Sequence, residues 1–239
     1  FSTHADPVYW ELLGKVAHQA EQVIDIKAAG LNHFSWVMDI REKQSGVDLY
    51  PALREAWKNS DPQVEPLTRR VFEAFGLMPV PGDEHLDEYL PWCSDPITKP
   101  WEKLDLELYD WEARALNRTD GHASIRRMGD GLEPLDELHE ADSEGASEVV
   151  QALAGAGNDY HLAVNLPNQG QISNLPMGAI VETPALLSGM GPLPLSMGAF
   201  PEGIAELMRR EITVGQLCVD AAVHGDRQLA LQCLLLDPV

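Results

Sequence analysis

Two kinds of hydrophobic spacing divide the chain into elements. Long stretches in which apolar residues recur at helical spacing indicate helices that bury one face. Shorter apolar runs between turn-forming residues indicate strands. The pattern predicts helices at residues 7–20, 48–59, 66–75, 101–117, 147–154, 201–223 and 226–235, and strands at 23–28, 34–40, 161–165 and 179–182. Long helices with short, scattered strands predict an α+β fold rather than a regular βαβ alternation.

Local signals support the ends of two of these helices. Asp6 and Pro7 suit the N-cap and the first helical position of the helix at 7–20. Gly76 directly follows the helix at 66–75, where a glycine commonly ends a helix because it adopts a left-handed conformation without strain.

Residues 79–100 are rich in proline and glycine and should be irregular. This segment nevertheless contains His85, Tyr89, Trp92 and Cys93. Loops with aromatic and ionisable groups are where functional sites tend to lie, so the segment is a candidate part of the site.

A short glycine pair near the middle of the chain invites comparison with a nucleotide-binding loop. Gly155-Ala156-Gly157 lacks the third glycine of a dinucleotide fingerprint, and it follows a predicted helix rather than a strand. We interpret it as a helix C-cap and turn. The sequence therefore contains no credible nucleotide-binding domain.

Composition and charge exclude several classes of partner. The 239 residues suffice for one large or two small domains, and the formal net charge of −21 would repel nucleic acid and anionic membranes. No apolar run approaches the roughly 18 residues of a membrane span. An anionic substrate would need a metal ion or a local arginine cluster at the site to overcome the negative electrostatic potential of the protein.

Phe1 is not an initiator Met, so we expect the chain to begin inside a longer protein.

The three cysteines, Cys93, Cys218 and Cys233, are widely spaced and form no CxxC motif. Their odd number favours reduced thiols in a cytoplasmic protein. Cys218 and Cys233 lie in apolar helical contexts, so we expect them to be inert core residues.

The run from Gly30 to Trp36 places Asn32 and His33 side by side, directly after a largely apolar segment. Imidazole is the commonest protein metal ligand, and a neighbouring amide can hold sugar hydroxyls. A bare Asn-His pair is more often structural, so its sequence context decides the interpretation.

That context resembles a known family. Five segments recur in its order: GLNHFSW (30–36), HLDEYLPW (85–92), NLPNQGQISNLP (165–176), AIVETPA (179–185) and GDRQLALQCLLLDP (225–238). Together they resemble the C-terminal part of family 4 glycoside hydrolases, the NAD- and divalent-metal-dependent glycosidases. The resemblance implies that residues 1–239 form a metal and substrate domain of the lactate-dehydrogenase-like C-terminal type. The NAD-binding domain of such an enzyme would then be absent from this chain.

The resemblance also implies an unusual reaction that does not use the two-carboxylate scheme of most glycosidases. Sugar C3 is oxidised by hydride transfer to NAD⁺, which acidifies the C2 proton. A base removes that proton, the aglycone leaves by elimination, water adds at C1, and the ketone is reduced again. A divalent ion, typically Mn²⁺, holds the C2 and C3 oxygens as a Lewis acid.

Carried over to this chain, the resemblance makes His33 a metal ligand and Asn32 a sugar contact. The family's second protein ligand is a cysteine, but the matching residues 1–6 contain none. We favour His4 in its place. Asp6 and a weakly binding Ser2 are alternatives, as is the loss of the metal in this branch.

The same resemblance makes Tyr89 the base that removes the C2 proton, with Asp87 in reserve. His85 could orient Asp87 or could simply be exposed. Within the segment 85–92, the Glu88-Tyr89 pair and the final residues Tyr-Leu-Pro-Trp resemble one branch of the family more than the other. They favour the branch that acts on α-galactosides or α-galacturonides over the phospho-glucosidases.

The loop at 165–176 should pack beneath the site, where Asn168 and Asn174 are turn formers by default and Asn168 has a possible sugar or interface role. The rival interpretation is a non-catalytic sugar-binding or dimerisation domain, and a weaker one is half of a lactate- or malate-dehydrogenase-like enzyme. In the glycosidase interpretation we expect a cytoplasmic protein that binds carbohydrate and self-associates. We also expect this chain alone neither to bind NAD nor to hydrolyse a glycoside.

Overall fold

The architecture is built on an antiparallel β-sheet. The computed structural model describes residues 24–106, 111–135, 145–155 and 157–237. Within them six strands pair in the order β3-β2-β1-β5-β4, with β6 added to the end of β5. All pairs between these strands are antiparallel. Their bounds are β1 Ile24–Leu31, β2 Phe34–Glu42, β3 Met78–Pro79, β4 Asp159–Pro167, β5 Ile180–Ser188 and β6 Gly191–Pro194.

Helices connect and cover the strands. They are α1 Tyr50–Lys58, α2 Pro66–Phe75, α3 Asp83–Leu86, α4 Pro100–Leu104, α5 Trp111–Gly129, α6 Ala146–Leu153, α7 Glu202–His224 and α8 Arg227–Leu236. A short 3₁₀ turn, Asp87–Tyr89, follows α3 directly. No helix in the described part of the chain is both long and apolar enough to cross a membrane.

Most predicted elements are confirmed, as is the α+β class. The strands at 23–28 and 34–40 form a hairpin, and the helix at 66–75 ends at Gly76, whose φ is 82°. Gly155, with φ 87°, likewise lies in the turn after α6. Strand β6 was not predicted. The helix at 7–20 lies outside the described residues.

The single helix predicted at 101–117 is wrong. The structure has α4 and α5 instead, and Asp105 between them adopts a left-handed conformation with φ 54°. That conformation ends a right-handed helix, and the apolar spacing of the segment did not reveal it.

Two hydrophobic clusters hold the hairpin in place. Val37 and Ile40 of β2 pack with the buried residues of α1 and α2, which include Leu53, Trp57 and Phe72. The other cluster joins Phe34 and Trp36 of β2 to the loop after α3 and to the first turns of α7, through Leu86, Leu90, Ile204, Ala205 and Met208. Because Phe34 and Trp36 are fully buried, the turn that precedes them has a fixed position.

The interpretation of Cys218 and Cys233 as inert core residues is wrong. Cys218 is exposed and Cys233 is half-buried, whereas Cys93 is fully buried and burial raises its pKa to about 12. The apolar spacing of α7 and α8 suggested burial, but within the described residues these helices cover each other along one side only. Several of their apolar side chains are therefore exposed, including Val219, Val223, Leu231, Leu234 and Leu235.

Candidate functional site

The turn between β1 and β2 carries the Asn32-His33 pair. Leu31 and Phe34 are the last paired residues of the hairpin, so Asn32 and His33 alone form its tip, and both are exposed. His33 has φ 59°, a left-handed conformation that is uncommon for residues other than glycine, although asparagine, aspartate and histidine adopt it more often than the rest. Such strain is often retained at functional sites, where the surrounding structure enforces it.

Tyr89 lies directly beside this turn. Its ring stacks on Phe34 with centroids 4.7 Å apart and an interplanar angle of 14°. Its hydroxyl group donates a hydrogen bond of 3.3 Å to the backbone carbonyl oxygen of Asn32. The structure therefore brings Tyr89 together with the Asn32-His33 pair, although they are far apart in sequence.

His85 also reaches the turn, which sequence reasoning missed. Its ring centroid lies 4.6 Å from that of His33, and its Nδ1 lies 3.7 Å from Glu88 Oε2. The signal was the four-residue spacing from His85 to Tyr89, which places both on one side of a helical segment. It could not show that this side faces the hairpin turn.

Asp87, the reserve base, points elsewhere. Its side chain is buried, only 5% exposed. Its charge acts on the Cys93 thiol instead: the pKa of that thiol is raised first by burial and next by the charge of Asp87. Tyr89 contributes to the wall of the neighbouring cleft and Asp87 does not, so Tyr89 is better placed to meet a ligand there.

A cleft of about 490 Å³ opens between the hairpin turn and α7. Its apolar wall includes Leu31, Ile180, Ile212 and Val219, and its polar groups come from Asn32, Tyr89, Asn165, Glu211 and Gln216. Amide, hydroxyl and carboxylate groups on an apolar wall suit the hydroxyl groups and the carbon face of a sugar ring.

Arg210 forms hydrogen bonds with two residues that line this cleft. Its guanidinium donates to the backbone carbonyl oxygen of Tyr89 at 2.8 Å and to Glu211 Oε1 at 3.2 Å. Burial raises the pKa of Glu211, and the neighbouring Arg210 only partly opposes that effect. Arg210 therefore holds the position of Tyr89 through its main chain and limits the cost of burying Glu211.

The local field disfavours ionisation of Tyr89. Burial raises the pKa of Tyr89 to about 12, with further contributions from the charges of Glu88, Glu211 and Glu182. At neutral pH its hydroxyl group is therefore protonated and donates its hydrogen bond. A positive charge nearby would be needed for it to act as a base.

The donor set at the turn fits part of a metal shell. His33 and His85 bring two imidazoles together, but the described residues contain no group of three or more His, Cys, Asp or Glu side chains that could hold an ion. The predicted second ligand His4 and its alternatives Asp6 and Ser2 lie outside the described residues.

Asn168 and Asn174 are structural residues. The buried Asn168 amide donates to the backbone carbonyls of Ile172, Leu175 and Pro176, and its oxygen accepts from the amides of Gly170 and Ile172. The Asn174 side chain makes a pair of hydrogen bonds with the backbone of Phe200. The sugar or interface role considered for Asn168 is therefore wrong, because its side chain is only 1% exposed and its polar atoms are engaged.

Comparisons with known proteins agree with the geometry. A sequence model of the family 4 glycosyl hydrolase C-terminal domain matches residues 28–239. An alpha-galacturonidase of Bacillus subtilis is 31% identical over 90% of this chain and 50% of its own length. An alpha-galactosidase of Rhizobium meliloti is 29% identical over 94% of this chain and 49% of its own length. The chain thus spans about half the length of the curated relatives that it matches.

Solved structures share the fold. The crystal structure of lplD from Bacillus subtilis matches with a TM-score of 0.77 and 27% identity, covering 97% of this chain and 56% of that one. A 6-phospho-alpha-glucosidase from gut microorganisms, solved in complex with NAD and Mn²⁺, matches with a TM-score of 0.67 and 20% identity, covering 96% of this chain and 54% of that one. These matches confirm the C-terminal-domain fold that the sequence predicted.

Proposed function

Because the chain belongs to family 4 of the glycosyl hydrolases, we propose that it supplies the metal and substrate site of a glycosidase that works by NAD-dependent oxidation, elimination, addition and reduction. The observation that carries this proposal is the contact of Tyr89 with the hairpin turn that carries Asn32 and His33, beside an apolar cleft with several polar groups. Relatives at similar identity include an alpha-galacturonidase, an alpha-galactosidase and a phospho-alpha-glucosidase. Two alpha-galacturonidases, at 31% and 30% identity, support an α-galacturonide or α-galactoside as substrate.

His33 is the residue of this chain that would hold a divalent ion, with His4 or Asp6 as its partner. Its exposed imidazole is a suitable donor for Mn²⁺. When bound, the ion would act as a Lewis acid toward two neighbouring sugar oxygens, while NAD⁺ would accept the hydride from sugar C3. His85, next to His33, would orient its ring or add a second imidazole.

The other residues would position the sugar and move its proton. The exposed Asn32 amide would bond a sugar hydroxyl group, and Asn165 and Gln216, which also line the cleft, would offer further amides. The Tyr89 hydroxyl oxygen would take the proton from sugar C2. Three carboxylates now disfavour its ionisation, and a cation held at His33 would oppose them.

Self-association in the cytoplasm completes the proposal. Exposed Val223, Leu234 and Leu235 on the α7–α8 pair form apolar surface of the kind that interfaces cover. This surface is also what a purely dimerising, non-catalytic domain would need. Binding of Mn²⁺ at His33 separates the two functions, since dimerisation alone does not require it.

Replacing His33 by Gly in the full-length protein should weaken Mn²⁺ binding at least about tenfold, because one imidazole ligand is lost. Glycine adopts the positive φ of this position freely, so the hairpin should keep its shape. Titration followed by electron paramagnetic resonance of free Mn²⁺ measures the effect. The exposed His122, changed to Ala, is the control and should bind Mn²⁺ as the unmodified protein does. Equal affinity in the His33→Gly variant would contradict the metal assignment.

Replacing Tyr89 by Phe in the full-length enzyme should slow exchange of the sugar C2 proton with solvent by about 10² to 10⁴, the usual contribution of a positioned base. Substrate binding should change little, because the stacking on Phe34 remains. Proton exchange followed by NMR in deuterated water tests this, with the partly exposed Tyr160→Phe as control. Unchanged exchange would transfer the base role to Asp87 or to another residue.

A further inference from the structure

The two C-terminal helices form a tight antiparallel hairpin. Helix α7 ends at Gly225, which has φ 63° and donates its amide to the Ala221 carbonyl oxygen. Asp226 then caps α8, since its side chain accepts from the amides of Gln228 and Leu229. With only Gly225 and Asp226 between the helices, residues equally far from the link lie opposite each other.

Cys218 and Cys233 occupy such opposite positions. Cys218 lies seven residues before Gly225, and Cys233 lies seven residues after Asp226. The Cys233 Sγ donates to the carbonyl oxygen of Val214 at 3.5 Å. In an α-helix that same carbonyl accepts the backbone amide of Cys218, four residues later. The Cys233 sulfur therefore lies against the turn of α7 on which Cys218 sits.

Both thiols are accessible from solvent. They line the same open cavity of about 530 Å³, which is walled mainly by small and apolar side chains, among them Ala221, Ala222, Ala230 and Leu234. Cys218 is exposed, whereas Cys93 is completely buried. Cys218 is the more exposed of the two thiols, which makes it the first to react, and burial and the neighbouring Cys218 thiol raise the pKa of Cys233.

We propose that Cys218 and Cys233 form a redox-active thiol pair that closes to a disulfide on reaction with a low-molecular-weight disulfide of the glutathione class. The arrangement brings the two thiols within hydrogen-bonding reach of each other, which is the proximity that such a bond needs. This site is independent of the glycosidase proposal, because the cavity that the thiols line shares no lining residue with the cleft beside the Asn32-His33 turn.

The reaction is a two-step exchange. The Cys218 thiolate attacks one sulfur of the oxidised reagent, forms a mixed disulfide and releases the first reagent thiolate. The Cys233 thiolate then attacks the Cys218 sulfur and expels the second reagent thiolate. The two cysteines lose two electrons and two protons, and the reagent disulfide becomes two thiols. A reducing cytoplasm would reopen the bond, so the pair would report oxidation rather than form a permanent crosslink.

The test is peptide mapping of this chain after treatment with oxidised glutathione, without reduction. Trypsin cuts after Arg210 and Arg227, so peptides 211–227 and 228–239 separate unless a Cys218–Cys233 bond joins them. We expect the joined pair at the summed mass less two hydrogens, and we expect Cys93 to remain a thiol. The closed bond should also slow amide hydrogen exchange in α8 by about tenfold, because it prevents independent opening of that helix.

The variants separate the pair from a single reactive cysteine. Cys93→Ser should still form the joined peptides. Cys218→Ser should form none, and Cys233→Ser, or Cys233→Ala if the serine variant does not fold, should retain a glutathione adduct on Cys218. A lasting glutathione adduct on the unmodified chain, a crosslink between two chains, or no reaction would each overturn the proposal.

Discussion

Replacing Gly30 by Ala should destabilise the fold by about 2 to 5 kcal/mol, because a core clash costs about 1 to 3 kcal/mol and a disfavoured backbone conformation about 1 to 2 kcal/mol more. An added Cβ would lie 2.4 Å from the Phe34 carbonyl oxygen and 2.6 Å from the Ser35 Cα. It would also lie 3.1 Å from Met208 Cε. The first two atoms belong to the backbone of the paired strand and cannot move aside as a side chain can. The backbone at Gly30 also has φ 154°, which side chains disfavour.

Urea unfolding followed by circular dichroism measures this loss. Gly46→Ala is the matched control, because Gly46 has φ 69° but nothing within 4 Å of the added Cβ. In that variant the free energy of unfolding should fall by only about 1 to 2 kcal/mol, the cost of a left-handed backbone at a residue with a Cβ. If the two variants were equally stable, the close approach of β1 and β2 at Gly30 would not be what excludes a larger residue there.

Replacing Asn168 by Ala should lower the free energy of unfolding by about 3 to 5 kcal/mol. The buried amide holds the loop between β4 and β5 through five hydrogen bonds to backbone groups. Alanine would leave those groups without their partner, and three of the five hydrogen bonds are buried. Each unsatisfied buried group costs about 1 to 3 kcal/mol, although relaxation of the loop would recover part of the sum.

The neighbouring Gln169 provides the comparison. Its side chain is exposed, so Gln169→Ala should change the free energy of unfolding by less than about 0.5 kcal/mol. Both variants can be measured by the same urea titration. A loss below about 1 kcal/mol for Asn168→Ala would mean that water or neighbouring groups replace the amide, and that Asn168 does not hold the loop.

Much of the secondary structure was predictable because its signals are local. Pro66 and Gly76 mark both ends of α2, and the apolar runs on either side of Asn32-His33 indicate the hairpin. Asp105 shows the limit of this reasoning. Its left-handed backbone divides one apolar pattern into two helices, and no side-chain periodicity encodes that reversal.

The candidate site was predictable only in part, because it is assembled from distant segments. The motif around His33 drew attention to Asn32 and Tyr89, and the structure brings these residues together. The proximity of His85 to His33 depends on how α3 packs against the hairpin tip, which is a property of tertiary structure. The burial of Asp87 and the exposure of Cys218 have the same origin.

The sequence by itself determined the family, the α+β class, most helices and strands, and the identity of the residues at the hairpin turn. Those features follow from hydrophobic period, turn chemistry and short motifs, all of which act over a few neighbouring residues. Only the tertiary structure decided which side chains share the cleft, which asparagine holds a loop, and which cysteines face each other. Such relations depend on contacts between segments far apart in the chain, because solvent exposure and local charge are set by what packs against a residue rather than by its neighbours in sequence.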